Sequence, residues 1–214
     1  MGLTEQLNDL KQQLGREVPR EILEDIGQFV QGLAQSGIEK KSCQAGDKAP
    51  PFILPNITGR MVSSEDILSK GPMVLSFYRG IWWPFCNLEL RSLQQSLPKI
   101  KSLDAELVTI SPQLPDNSLS TAEKLALEFE VLSDVGNKVA GDFGIVFKLT
   151  DKMQEIYKNF GIDLPTANGE QSFELPIPAT YVVAQNGIVS FALIDADYTN
   201  RLDPETIIAE LQKL

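Results

Sequence analysis

The sequence predicts an α/β fold in which a central mixed β-sheet is flanked by helices, with a helical extension in front of it. Three observations carry this. From residue 73 onward, short apolar and β-branched runs alternate with longer amphipathic ones, the pattern of parallel strands joined by helices. Further on, two β-rich runs, Thr180–Ala184 and Ile188–Ile194, are joined through Gln185-Asn186-Gly187, which reads as a tight antiparallel hairpin. At the start of the chain, Leu3, Leu7, Leu10 and Leu14 recur at helical spacing.

Residues 3–36 are expected to be helical, punctuated by Gly15 and Pro19. In the second half of this stretch Ile22, Leu23, Ile26, Phe29, Val30 and Leu33 form an apolar stripe, and Gly37 is the expected stop. Such a pair of helices serves either as a docking or homodimerisation element or as a hairpin packed on its own domain. The second reading is favoured, because amphipathic stripes are commonly core-facing. The chain therefore divides into an extension over residues 1–42 and a domain over residues 43–214.

In that domain Phe52-Ile53-Leu54 and Arg60-Met61-Val62 read as a short hairpin turning at Asn56-Ile57-Thr58-Gly59. Ser64, with Glu65 and Asp66 behind it, signals the start of a short helix. Met73–Tyr78 is a strand, and a helix runs from Pro84 to about Leu97, where Pro98 is expected to kink or end it. Leu107–Ile110 is the next strand, and the capping-box spacing of Ser120 and Glu123 starts another helix. Val131–Ser133 is a third strand, Asn137–Phe143 and Asp151–Phe160 are helical, and Leu164–Pro178 reads as a polar insertion. After the Asn-Gly hairpin, Asp203-Pro204-Glu205 caps a final helix. Parallel strands first, then a closing hairpin and helix, match a thioredoxin-like architecture.

Composition narrows the chemistry. The net charge of −10 argues against nucleic acid, whose phosphates call for clustered Lys and Arg. No apolar run reaches the roughly 18 residues of a membrane span. Met1-Gly2-Leu3-Thr4-Glu5-Gln6 lacks the basic and apolar parts of a secretory signal, so a cytoplasmic location is expected. The 214 residues contain no histidine, which removes Ser-His-Asp and Cys-His hydrolases and His-ligated metal sites. With only Cys43 and Cys86, a Cys-rich zinc site and a disulfide framework are also excluded, and no metal or cofactor is expected. Asp195, Asp197 and Asp203 lack the spacing of a calcium loop and read as turn and cap residues.

A thiol is what remains for strong nucleophilic chemistry. Cys86 stands where a strand, broken at Arg79-Gly80, crosses an aromatic loop and enters a helix. A helix N-terminus has unpaired N–H groups and positive partial charge, which favour thiolate, the reactive form.

The run Phe77-Tyr78-Arg79-Gly80-Ile81-Trp82-Trp83-Pro84-Phe85-Cys86-Asn87-Leu88-Glu89-Leu90 resembles the active-site segment of the peroxiredoxin (AhpC/TSA) family. It is most similar to a branch with the run Phe-Tyr-Arg-Gly-x-Trp-Cys-Pro-Tyr-Cys-Asn. Gly46-Asp47-Lys48-Ala49-Pro50, Ile177-Pro178-Ala179-Thr180-Tyr181-Val182-Val183 and Ala196-Asp197-Tyr198-Thr199-Asn200-Arg201 resemble further parts of that family. The resemblance implies that Cys86 is the peroxidatic cysteine and that Glu89 is a supporting carboxylate. The family's Thr position holds Trp83, its Pro holds Arg79, and the Arg leading into the late strand is replaced by Pro178. In thioredoxin-like relatives Pro178 would be the cis-proline facing the thiol. Arg79 is then the expected catalytic cation, with Arg91 and Arg201 as alternatives, and Trp82, Trp83, Phe85 and Pro178 the expected substrate pocket. The two tryptophans form either a wall for organic hydroperoxides or a cover for the helix end. Glu89 either tunes a nearby Arg or is an ordinary first-turn carboxylate, the latter favoured.

The implied activity is a thiol peroxidase acting on hydrogen peroxide or organic hydroperoxides, regenerated by thioredoxin or a small thiol. Two alternatives stand beside it: a thiol–disulfide oxidoreductase using Cys86 with Cys43 or a partner's thiol, and a binding protein on the same fold with weakened or lost catalysis.

Overall fold

The computed structural model describes residues 2–214. The helices are α1 (Leu3–Glu17), α2 (Arg20–Gln35), α3 (Ile38–Lys41), α4 (Ser64–Leu68), α5 (Pro84–Lys101), α6 (Pro115–Leu125), α7 (Lys138–Asp142), α8 (Asp151–Asn159), α9 (Leu164–Asn168) and α10 (Pro204–Leu211). The strands are β1 (Ile53–Pro55), β2 (Met61–Ser63), β3 (Met73–Phe77), β4 (Glu106–Ser111), β5 (Glu130–Ser133), β6 (Val146–Lys148), β7 (Glu174–Pro176), β8 (Ala179–Val183) and β9 (Val189–Ile194).

Five strands form the central sheet in the order β5-β4-β3-β8-β9. β3 runs parallel to β4 and β4 to β5, while β8 is antiparallel to both β3 and β9. The mixed sheet expected from the alternating pattern is therefore present. β3, β4, β5 and β8 are buried on both faces, so β3 reads as a continuous apolar run rather than an alternation. Their side chains nonetheless sort by face. Met73, Leu75, Phe77, Val108, Ile110, Tyr181 and Val183 pack into one core, and Val74, Leu107 and Val182 into the other.

Helix α5 contributes Leu90, Leu93, Leu97 and Ile100 to the second core, and it continues past Pro98. A proline inside a helix costs about 3 kcal/mol. Burying Leu97 and Ile100, 2% and 0% exposed, gains about 1.5–3 kcal/mol each, enough to carry the helix past it.

The helical extension is docked, with Leu3 and Leu7 of α1 in the same core as α5. Helix α2, although strongly amphipathic, buries no residue fully; Ile26 and Phe29 are only partly covered, and Asp25 meets Lys152 of α8 at 2.5 Å.

Local differences from the sequence reading have local causes. Helix α6 begins at Pro115 rather than Ser120, because proline's fixed φ suits a first turn; Ser118, inside it, is buried against Ser133 at 2.8 Å. The cap of α4 is Ser63, whose hydroxyl accepts from the Glu65 N–H, while the Ser64 hydroxyl accepts from Phe52 N. The expected insertion at 164–178 contains α9, capped by Asp163, and β7, which pairs with β6. That pairing joins segments far apart in the chain and leaves no local periodicity to read.

Candidate active site

Strand β3 delivers the chain to Tyr78, Arg79 and Gly80 at the edge of the core, and α5 receives it at Pro84. Gly80 has φ 153°, and a Cβ there would lie 2.2 Å from Trp82 Nε1 and 2.8 Å from Gln113 Oε1. The close approach admits glycine only. The loop is pinned at both ends: Ile81 N donates to Gln113 Oε1 at 2.5 Å, and Asn87 Nδ2 donates to the Ile81 carbonyl at 2.8 Å. Trp83 is the N-cap residue of α5 and Pro84 its first position, so Cys86 falls in the first turn.

Cys86 is completely buried. The cation that reaches its sulfur is Arg201, not Arg79: Arg201 Nη2 lies 3.5 Å from Cys86 Sγ. Arg201 Nε donates to Glu89 Oε2 at 2.7 Å, and Nη1 donates to the carbonyls of Tyr198 and Asn200. Four acceptors thus fix one guanidinium in a single plane, which a bare ammonium could not match. Burial alone would push Arg201 down; Glu89 and Cys86 beside it more than reverse that and hold it charged. Burial also pushes the Glu89 carboxyl up from its ordinary range, against the pull of Arg201 and the Ser76 hydroxyl. Glu89 is 2% exposed, so it is the buried partner of an arginine rather than an ordinary first-turn carboxylate.

Arg79 has a different role from the one expected. It is fully buried, with its guanidinium carbon 4.0 Å from the ring centre of Tyr198, 4.3 Å from that of Trp83 and 5.6 Å from that of Trp82. Nη1 donates to Tyr157 Oη at 2.7 Å, while Nε and Nη2 have no hydrogen-bond partner among the described residues. Each ring face is worth about 1–2 kcal/mol to a desolvated cation, which together offset much of the several kcal/mol that burying it costs. Arg79 therefore organises the aromatic floor, on which Trp83 also stacks against Tyr157 with planes 10° apart. Two buried guanidiniums stand in this region beside one buried carboxylate, so an anion formed at Cys86 would be the second negative charge of the cluster.

Pro178 also departs from expectation. It is buried, no cis peptide bond occurs among the described residues, and Pro178 does not line the cavity beside the loop. Trp82, Trp83 and Phe85 do line that cavity, which has a volume of about 480 Å³.

Cys43 packs against the core on the far face of the sheet, beside Phe143, whose carbonyl accepts its N–H at 2.9 Å. Burial pushes its thiol up, with Asp47 adding to the shift. The sheet therefore separates the two cysteines. Arg91 lies beside Leu88 and Asn87 at the outer side of α5. Gln113 and Tyr157 were not legible as site residues, since they come from separate segments and carry no local signal; Tyr198 stood in a run that resembles the family but had no role assigned to it.

Residues 45–192 match the model of the AhpC/TSA family. The chain belongs to the AhpC/TSA family. A chloroplastic peroxiredoxin Q of Sedum lineare is 32% identical over 169 residues, covering 79% of this chain and 76% of that one. A second, from Triticum aestivum, is 30% identical over 181 residues, covering 85% and 70%. Among solved structures, the peroxidoxin BcpB of Mycobacterium tuberculosis superposes with a TM-score of 0.64 at 22% identity, over 80% of this chain and 98% of that one. The AhpC/TSA match begins at residue 45, so α1, α2 and α3 lie outside it.

Proposed function

We propose that the protein is a thiol-dependent peroxidase acting through Cys86. The observation that carries this reading is the Arg201 guanidinium, held by Glu89 and two carbonyls, with one N–H directed at a sulfur in the first turn of a helix. A charged donor fixed at a thiol is what peroxide cleavage calls for, because negative charge moves from sulfur to oxygen as the O–O bond breaks.

In the reaction the Cys86 sulfur attacks the distal oxygen of the peroxide. The S–O bond forms as the O–O bond breaks, two electrons pass from sulfur to the peroxide, and the proton given up by the thiol ends on the departing oxygen. Hydrogen peroxide leaves water and an organic hydroperoxide leaves an alcohol, with Cys86 as a sulfenic acid. Since Cys43 lies beyond the sheet, an external thiol reduces the sulfenic acid: it displaces water to form a mixed disulfide, and a second thiol releases Cys86. Thioredoxin or a small thiol fits this role. Family membership supports the same reading, as does the alkyl peroxide reduction named for the Xanthomonas campestris bacterioferritin comigratory protein, a fold relative with a TM-score of 0.57.

The disulfide-exchange alternative finds less support, since Trp83 occupies the position of a second thiol and Cys43 is on the far face. One titration tests the proposal. Equimolar peroxide added to reduced protein should place one oxygen on Cys86, detected by mass spectrometry, faster than on free cysteine; equal or slower oxidation rejects the activity.

A further inference from the structure

The cavity beside the active-site loop is built from two sources. Its floor is Trp82, Trp83 and Phe85 of the family match, with Tyr198 just beyond that match; its walls are α1 and α2, which the family match does not include. Leu14, Leu23, Ile26 and Val30 give those walls an apolar surface. Leu23, Ile26 and Val30 of the α2 stripe face this cavity, while Ile22, Phe29 and Leu33 of the same stripe pack against the core. Cys86 is absent from the lining, so a molecule held there touches Trp82, Trp83 and Phe85 of the active-site segment and not the sulfur itself.

The lining also defines what fits. At about 480 Å³ the space lies within the roughly 300–1,000 Å³ of small-molecule sites. A folded partner would need roughly 800 Å² of contact per side, which a recess of this kind does not offer. The charged groups of the lining are Lys11 and Asp197, and they are spent on each other at 2.9 Å, with Lys11 also donating to Thr199 Oγ1 at 3.1 Å. An anionic head would face the Asp197 carboxylate, and a cationic one would face Lys11. The indole nitrogens of Trp82 and Trp83 are sealed from the cavity, and that of Trp82 turns toward Gly80. With Lys11 and Asp197 paired to each other, the lining favours an uncharged ligand.

We infer that the helical extension and the active-site loop together form a binding site for a single-chain aliphatic molecule with an uncharged head, such as a long-chain alcohol or ester. The chain lies along Leu14, Leu23, Ile26 and Val30, and the head sits at the end formed by Trp83, Tyr198 and Thr199. This site does not depend on the peroxidase reading.

Trp82 and Trp83 are the only tryptophans, so intrinsic fluorescence reports on this site alone. Decanol titrated into the full chain should give a saturable fluorescence change. Across hexanol, octanol and decanol, affinity should rise by roughly fourfold per added methylene. Gly27 lines the cavity on α2, and a Cβ there meets nothing within 4 Å. Gly27→Leu therefore adds bulk to the site while improving helix propensity. It should weaken decanol binding at least tenfold with an unchanged circular dichroism spectrum. Cys86→Ser should bind decanol within twofold of the parent, which separates this site from the thiol chemistry. A linear, unsaturable response, or equal binding by Gly27→Leu, overturns the site. Decanoate binding as tightly as decanol overturns the uncharged head.

Discussion

Arg201 ties Glu89 to Cys86, donating from Nε to the carboxylate at 2.7 Å and from Nη2 to the sulfur at 3.5 Å. Glu89 lies one turn beyond Cys86 on α5, so the helix presents both groups to the same guanidinium. A hydrogen bond to a charged group contributes about 1.5–3 kcal/mol. Arg201→Met should therefore slow oxidation of Cys86 by about ten- to a hundredfold. Stopped-flow peroxide kinetics read this directly. Arg201→Lys should recover little, because a single ammonium cannot serve Glu89, Cys86 and two carbonyls at once.

Removing the other partner tests stability. Glu89→Gln leaves a buried guanidinium without its counter-ion, and breaking a buried pair in this way costs about 3–5 kcal/mol. Urea unfolding should show a loss of that order, with the slope unchanged.

Trp83 both caps α5 and fills the space over Arg79. Trp83→Ala should destabilise the fold by about 3–5 kcal/mol, as for other buried aromatics cut to alanine. It should also expose Cys86, so that alkylation by iodoacetamide becomes faster than in the parent at the same pH. Unchanged alkylation would show that Trp83 does not cover the thiol.

Cys43→Ser should leave steady-state peroxide turnover unchanged with either a small thiol or thioredoxin as reductant, since the sheet stands between Cys43 and Cys86. Loss of turnover in this variant would make Cys43 the resolving thiol.

Asp197 joins the extension to the 195–201 loop, and its titration gives the joint a pH dependence. Burial pushes its carboxyl up, but the Thr199 hydroxyl and N–H, together with Lys11, more than offset this and hold it below the ordinary range. A lowered acid contributes stability above the pKa of the unfolded chain and loses it as pH falls through the folded value. The tie should therefore be intact at neutral pH and lost in strong acid. Hydrogen exchange at Thr199 N, which donates to Asp197 Oδ1, should accelerate there beyond the intrinsic pH trend. In Asp197→Asn this added pH dependence should disappear.

Much of the molecule was legible from local pattern. The strands of the central sheet, the Asn-Gly hairpin and the helix starting at Pro84 follow from periodicity and turn chemistry that neighbouring residues set. Cys86 followed from its place at a strand-to-helix junction and from the lack of histidine. The choice between Arg79 and Arg201 was beyond such reasoning. Both are arginines near recognisable segments, and only the packing of α5 against the 195–201 loop decides which one meets the sulfur. Glu89 was under-read for the same reason: its significance lies in a partner 112 residues away. The β6–β7 pairing and the Gln113 anchor of the loop are likewise contacts between distant segments.

The sheet between the two cysteines also decides how a catalytic cycle must be ordered. With no second thiol within reach, oxidation leaves no internal cross-link, and the oxidised chain would migrate as the reduced one does on a non-reducing gel. Oxidant and reductant must then reach the same sulfur by turns, each waiting for the other's product to leave. Such a cycle has ping-pong kinetics, with the two molecules competing for one reduced or oxidised Cys86.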